Sequence, residues 1–176
     1  MTTRTNTTKA ASVLLLGAII LALFNTAIMG KEHIRTQGEA VLLKLAPRDP
    51  RSIMQGDYMA LGYQIERDIT EEAKSLPRDT RRGYLVIRAD ENNVGQFIRF
   101  DDGGKLAQGE KRVRFHHPYP TRVMIVPDSF FFQEGQGGSY ADAKYGIFKF
   151  STDGDYILTG LADENRVEIT PPAQQL

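Results

Sequence analysis

The sequence predicts a mainly β protein: an N-terminal transmembrane helix, then a single antiparallel β domain, barrel-like or sandwich, with one short helix. Three observations lead there. Residues 11–29, ASVLLLGAIILALFNTAIM, contain no charged side chain. From residue 38 onward, short runs of alternating apolar residues are separated by turn sequences such as Asp90-Glu91-Asn92-Asn93, Asp101-Asp102-Gly103-Gly104 and Ser151-Thr152-Asp153-Gly154. Many short strands punctuated in this way are the pattern of an all-β domain. Only the stretch around Asp68–Lys74 reads as helix. The expected organisation is a disordered basic tail at 1–10, a transmembrane helix at 11–30, the β domain at 38–170 and a frayed tail at 171–176.

Composition narrows the function classes. Lys plus Arg and Asp plus Glu number 22 each, a formal net charge of zero. Such a balance supplies no field to recruit nucleic acid, and no nucleic-acid-reading signature is present. The chain has no cysteine, which excludes zinc–thiolate sites, redox motifs and thiol nucleophiles and leaves the compartment open. No cofactor and no metal is expected.

The first ten residues are polar, rich in threonine, and carry Arg4 and Lys9; such a stretch buries too little to order itself. The apolar run that follows, at a rise of about 1.5 Å per residue, covers most of a hydrocarbon core of roughly 30 Å. Apolar residues on every face argue against a buried core helix. A cleaved signal peptide has a shorter apolar region and an A-x-A-like site, which Asn25-Thr26-Ala27-Ile28-Met29-Gly30 fits poorly. An uncleaved signal anchor is therefore expected. Lys31, Arg35, Lys44 and Arg48 follow the run, so the basic-residue count does not decide orientation. A short basic tail before a single run is the arrangement of an anchor that exports its domain.

In the soluble domain, residues 38–46 form the first expected strand, ended by Pro47 and Pro50. Gly56-Asp57 makes a turn, and residues 58–66 alternate so that Met59, Leu61, Tyr63 and Ile65 face the core while Tyr58 does not. Asp68 or Thr70 caps the short helix, which Pro77 closes. Residues 78–82, RDTRR, form a basic run whose ordinary reading is solvated surface. Residues 83–88 and 94–100 read as a hairpin, as do 145–150 and 155–161 around an Asp-Gly turn. Strands at 112–116 and 122–126 flank a His117-Pro118-Tyr119-Pro120 loop, and a last strand spans 166–170. Neighbouring His116 and His117 point to opposite faces of a strand and are poorly placed to share a metal. Of Phe130, Phe131 and Phe132, one or two belong in the core. The glycines at 135, 137 and 138 lack the phosphate-loop pattern, and Asp153 and Asp155 lack the full calcium-loop pattern.

The most distinctive local pattern is Gly56-Asp57-Tyr58-x-x-Leu61-x-Tyr63, preceded by Asp49-Pro50-Arg51. With Phe131-Phe132-Gln133-Glu134-Gly135, Tyr145-Gly146 and Leu158-x-Gly160-Leu161, it resembles the GDYXXLXY-motif proteins, which are membrane-anchored bacterial proteins of unknown function. Gln133 stands where that family commonly has proline. The resemblance covers the anchor and the soluble domain. It implies a bacterial membrane anchor, no established activity, and association with a larger multi-pass membrane protein; with the exported domain expected from the basic tail, the expected location is the bacterial inner membrane with a periplasmic domain. The residues it singles out, as structural or contact positions, are Asp49, Pro50, Arg51, Gly56, Asp57, Tyr58, Leu61, Tyr63, Phe131, Phe132, Glu134 and Gly135.

Three functions follow as expectations. The first is a non-enzymatic accessory domain whose loop is held by Asp57 and Arg51, with the segment 130–138 as a contact. The second is a serine hydrolase like the signal peptidases, with Ser52 as nucleophile and Lys144 or Lys149 as nominal bases; its serine pattern is missing and no activating base is evident, so no catalytic residue is assigned. The third is binding of a small ligand or cation through Asp49, Asp57 and Glu134, which only the fold could gather.

Overall fold

A computed structural model describes residues 3–47, 54–55, 58–77, 79–119 and 122–172. The chain is mainly β, with an N-terminal helix and antiparallel sheets. Helix α1 spans Thr3–Gln37, followed by β1 (Glu39–Lys44), β2 (Met54–Gln55) and β3 (Tyr58–Ala60). Two short helices, α2 (Gln64–Asp68) and α3 (Thr70–Ala73), precede β4 (Arg82–Ala89), β5 (Gly95–Phe100), β6 (Glu110–Tyr119) and β7 (Arg122–Ile125). Then come β8 (Ser129–Phe131), a 3-10 turn at Gly137–Tyr140, β9 (Tyr145–Phe150) and β10 (Tyr156–Ala162).

The strands form three hydrogen-bonded sheets, ordered β1-β9-β10, β2-β3-β8 and β5-β4-β6-β7. Both expected hairpins are present: β4 pairs with β5, and β9 with β10. A parallel bridge between Leu42 and Val94 joins the first sheet to the third, and an antiparallel bridge between Leu45 and Tyr63 brings the second alongside. The result is a partly closed barrel. Inside it lie Val41 and Leu43 of β1, Leu85 and Ile87 of β4, Val113 and Phe115 of β6, Val123 and Ile125 of β7, and Phe148 of β9, all buried. Their spacing by two is the strand periodicity that the sequence carries.

Four expectations are corrected. Residues 3–10, expected as a disordered tail, continue α1; a helix already nucleated by its apolar run extends at one backbone hydrogen bond per residue fixed. The strand expected through residue 66 ends at Ala60, and Gln64–Asp68 is helical. The reason is a competing period: Leu61, Ile65, Ile69 and Ala73 recur every four residues, and all four are buried. His117, Pro118 and Tyr119 lie within β6 and not in a loop, with a register shift between His116 and Tyr119. Finally, residues 166–170 make only a bridge, Ala162 to Glu168, in place of a strand. Arg166 takes a φ of 66° to close the turn after Asp163, and Pro171 and Pro172 lack the N–H groups that would extend the ladder.

Candidate functional site

The motif strand sits at the centre of the second sheet. Tyr58, Met59 and Ala60 pair with Phe131, Phe130 and Ser129 of β8, and the Leu61 amide donates to the Asp128 carbonyl at 2.7 Å. Leu61 and Tyr63 are buried, as their place in the alternation predicts. The Tyr63 hydroxyl donates to the Pro127 carbonyl at 2.7 Å, and the Tyr156 hydroxyl donates to the Val126 carbonyl at 2.6 Å. Two core tyrosines thus hold consecutive carbonyls of the segment that feeds β8. Burial pushes the Tyr63 phenol well above its ordinary ionisation range, with the Glu66 carboxylate adding to the effect. Glu66 in turn accepts the Ile125 amide at 2.7 Å. Leu61 and Tyr63 therefore position the strand, and Tyr63, with no exposed surface, is closed to a ligand.

The aromatic run divides by face. Phe130 meets Tyr140 edge-on at 5.2 Å between centroids, and Phe132 stacks on the same ring at 5.5 Å. Phe131 points the other way, is 72% exposed, and lies 5.8 Å from the Tyr58 ring. Glu134 and Gly135 are exposed in the turn that follows, where the Gln136 amide donates to the Gln133 carbonyl. Gly135 has a φ of 81°, a conformation that makes glycine the natural residue there.

A cleft of 510 Å³ opens beside the motif strand, lined by Lys44, Pro47, Met59, Leu61, Tyr140 and Lys144 among others. Its lining is mostly apolar, with two lysines at the end of β1 and the start of β9. Asp49, Pro50, Arg51, Ser52, Gly56 and Asp57 lie outside the described residues. Of the nominal bases, Lys144 lines the cleft, whereas Lys149 sits on β9 opposite Ala40 and Ile157. Among the described residues no group of His, Asp and Glu is arranged to hold a metal ion.

Two interior features escaped the sequence reading. Tyr156 belongs to no motif, yet it is 5% exposed, donates to Val126, and accepts the Arg114 amide at 3.0 Å. His117 is 5% exposed, with Nδ1 3.1 Å from the Thr80 carbonyl and Nε2 buried without a partner. Strand alternation was the available signal for both. An aromatic in a hairpin and the second of two adjacent histidines each fall on the inward parity.

Helix α1 contains a span, residues Val13–Gln37, long and apolar enough to cross a membrane, and none of its apolar window is buried. With the antiparallel strands behind it, this defines a class: one helix long and apolar enough to cross a membrane, followed by a mainly β region. The sequence model of the GDYXXLXY protein family matches residues 20–161, and the chain belongs to that family. No curated protein and no solved structure is significantly similar to it.

Proposed function

We propose that this protein is a membrane-anchored, non-enzymatic accessory domain acting with a multi-pass integral membrane protein. The observation that carries the reading is the surface of α1. Ala18, Ala22, Thr26 and Gly30 recur at every fourth position and so share one helix face. A Cβ placed on Gly30 would meet nothing within 4 Å. In hydrocarbon there is little hydrophobic force between helices, and association relies on close approach at small side chains. In this reading a second transmembrane helix packs on that stripe.

In this reading the soluble domain stands on the extracytoplasmic, periplasmic side of a bacterial inner membrane, and α1 is a signal anchor. The motif residues Asp49, Arg51 and Asp57 and the exposed Glu134-Gly135 turn serve, in the same reading, the domain's contact with its partner. The apolar cleft beside the motif strand supports an interaction role more than a hydrolytic one. Affinity purification of the full-length protein from its native membrane in mild detergent tests this, with Asp57→Ala alongside. The expected result is a multi-pass protein recovered with the wild type and lost from a variant that still melts cooperatively. Recovery of no integral protein by either form would overturn the reading.

A further inference from the structure

The apolar run of α1 ends at Met29, and Lys31 stands two residues beyond, about 3 Å further along the axis. Headgroups add roughly 5–7 Å to each face of the hydrocarbon core, so Lys31 stands in that layer. Whatever packs beside Lys31 stands there too. The junction that sets this height is tight: the Gly38 amide donates to the Ile34 carbonyl at 2.9 Å, and Ile34 is buried. A Cβ on Gly38 would collide with the Ile34 carbonyl and lie 3.1 Å from both Lys149 Cβ and the Phe150 carbonyl.

Lys31 lines a cleft of 530 Å³ together with Arg114, Phe131, Ile157 and Leu158. A second cleft shares Arg114 and adds Arg81, Arg82 and His116. Among the described residues, none of Lys31, Arg81, Arg82 and Arg114 makes an ion pair; the acidic group nearby is Asp128, 3.9 Å from His116 Nε2. The Arg114 guanidinium lies over the Tyr156 ring at 5.6 Å, so its charge is not neutralised by a carboxylate. On a chain of zero net charge, two cations without an acidic partner in one cleft, beside a phenylalanine 72% exposed, are a concentrated departure.

We infer that this face docks on the anionic phospholipid headgroups of the bilayer that holds α1. Charge complementarity selects the occupant. Anionic headgroups present phosphates, which arginine matches in geometry as well as charge, and surface potential draws basic groups within about a Debye length. Phe131 is an apolar side chain positioned to enter the interface between headgroups and acyl chains. Because α1 tethers the domain, docking is intramolecular and needs only weak contacts. The inference does not depend on the existence of a protein partner.

The absence of cysteine makes a direct test available, since Gln133→Cys accepts a single polarity-sensitive dye two residues from Phe131. The labelled full-length protein is reconstituted in vesicles of phosphatidylcholine alone or of phosphatidylcholine with phosphatidylglycerol. The expected result is a blue shift confined to the anionic vesicles and reversed near 1 M salt, where the Debye length falls to about 3 Å. Lys31→Glu with Arg114→Glu should reduce the docked fraction about tenfold or more, at roughly one surface cation's attraction per site. Should that variant misfold, the lipid and salt comparison on the otherwise wild-type chain decides alone. Identical emission in both vesicle types would overturn the proposal. So would a shift that appears only when native membrane proteins are added, which would assign the face to an acidic protein.

Discussion

Tyr63 and Phe131, both in the family pattern, illustrate two different duties. Tyr63 is fully buried and its hydroxyl satisfies the Pro127 carbonyl. Tyr63→Phe leaves that acceptor unpaired in the core, so urea unfolding should show a loss of about 1–3 kcal/mol. Phe131→Ala removes a largely solvated ring, and its effect on stability should stay within about 0.5 kcal/mol. A large loss at Phe131 would mean that the exposed ring is structural after all. The carboxylates make a separate statement. The Ala107 amide holds Glu110 below the ordinary glutamate range; burial opposes it, and the Arg99 and Arg88 guanidiniums add to the lowering. A lowered folded-state pKa gives stability that is present above the unfolded value and lost as pH falls through the folded one. Melting temperature should therefore fall as pH drops from about 5 towards 3, and Glu110→Gln should flatten that decline. An unchanged slope in the variant would remove Glu110 from the account.

At the scale of elements, the strands were legible and several of their ends were not. The two hairpins follow from turn residues flanked by alternating runs, a local signal that tertiary context reinforces. The segment after Ala60 carries two periods at once. Spacing by two made Met59, Leu61, Tyr63 and Ile65 a strand face, and spacing by four made Leu61, Ile65, Ile69 and Ala73 a helix face. Both sets are buried, so the burial reading held while the element changed. Period alone cannot choose when the patterns share Leu61 and Ile65; packing of α2 and α3 against β7 decides. Of the site, Leu61 and Tyr63 were legible as inward positions; the hydrogen bonds of Tyr156 were not, because its partners Arg114 and Val126 are remote in sequence. The junction of α1 and β1 gives a prediction at this scale. Gly38→Val would force branched atoms against the Ile34 carbonyl and Phe150. It should lower the domain's melting temperature and raise hydrogen exchange in residues 31–37, with the barrel strands remaining protected. Unchanged exchange there would mean that the junction has slack.

For the whole molecule, the helix and the barrel are one argument. A span with no buried apolar window and a cleft holding Lys31 and Arg114 beside the exposed Phe131 are the two features on which the proposed membrane roles rest. Topology is open to direct measurement on the cysteine-free chain: a thiol introduced at Asp153, an exposed turn position, should react in intact cells with a reagent that does not cross the inner membrane. The most direct test of the accessory-protein reading is photo-crosslinking in the native membrane from Ala22, on the small-residue stripe, with Phe24 on the opposite side as control. The account predicts an adduct with a larger integral membrane protein from Ala22 and none from Phe24. Lipid adducts alone from both positions, or a product of twice the chain's own mass, would contradict it.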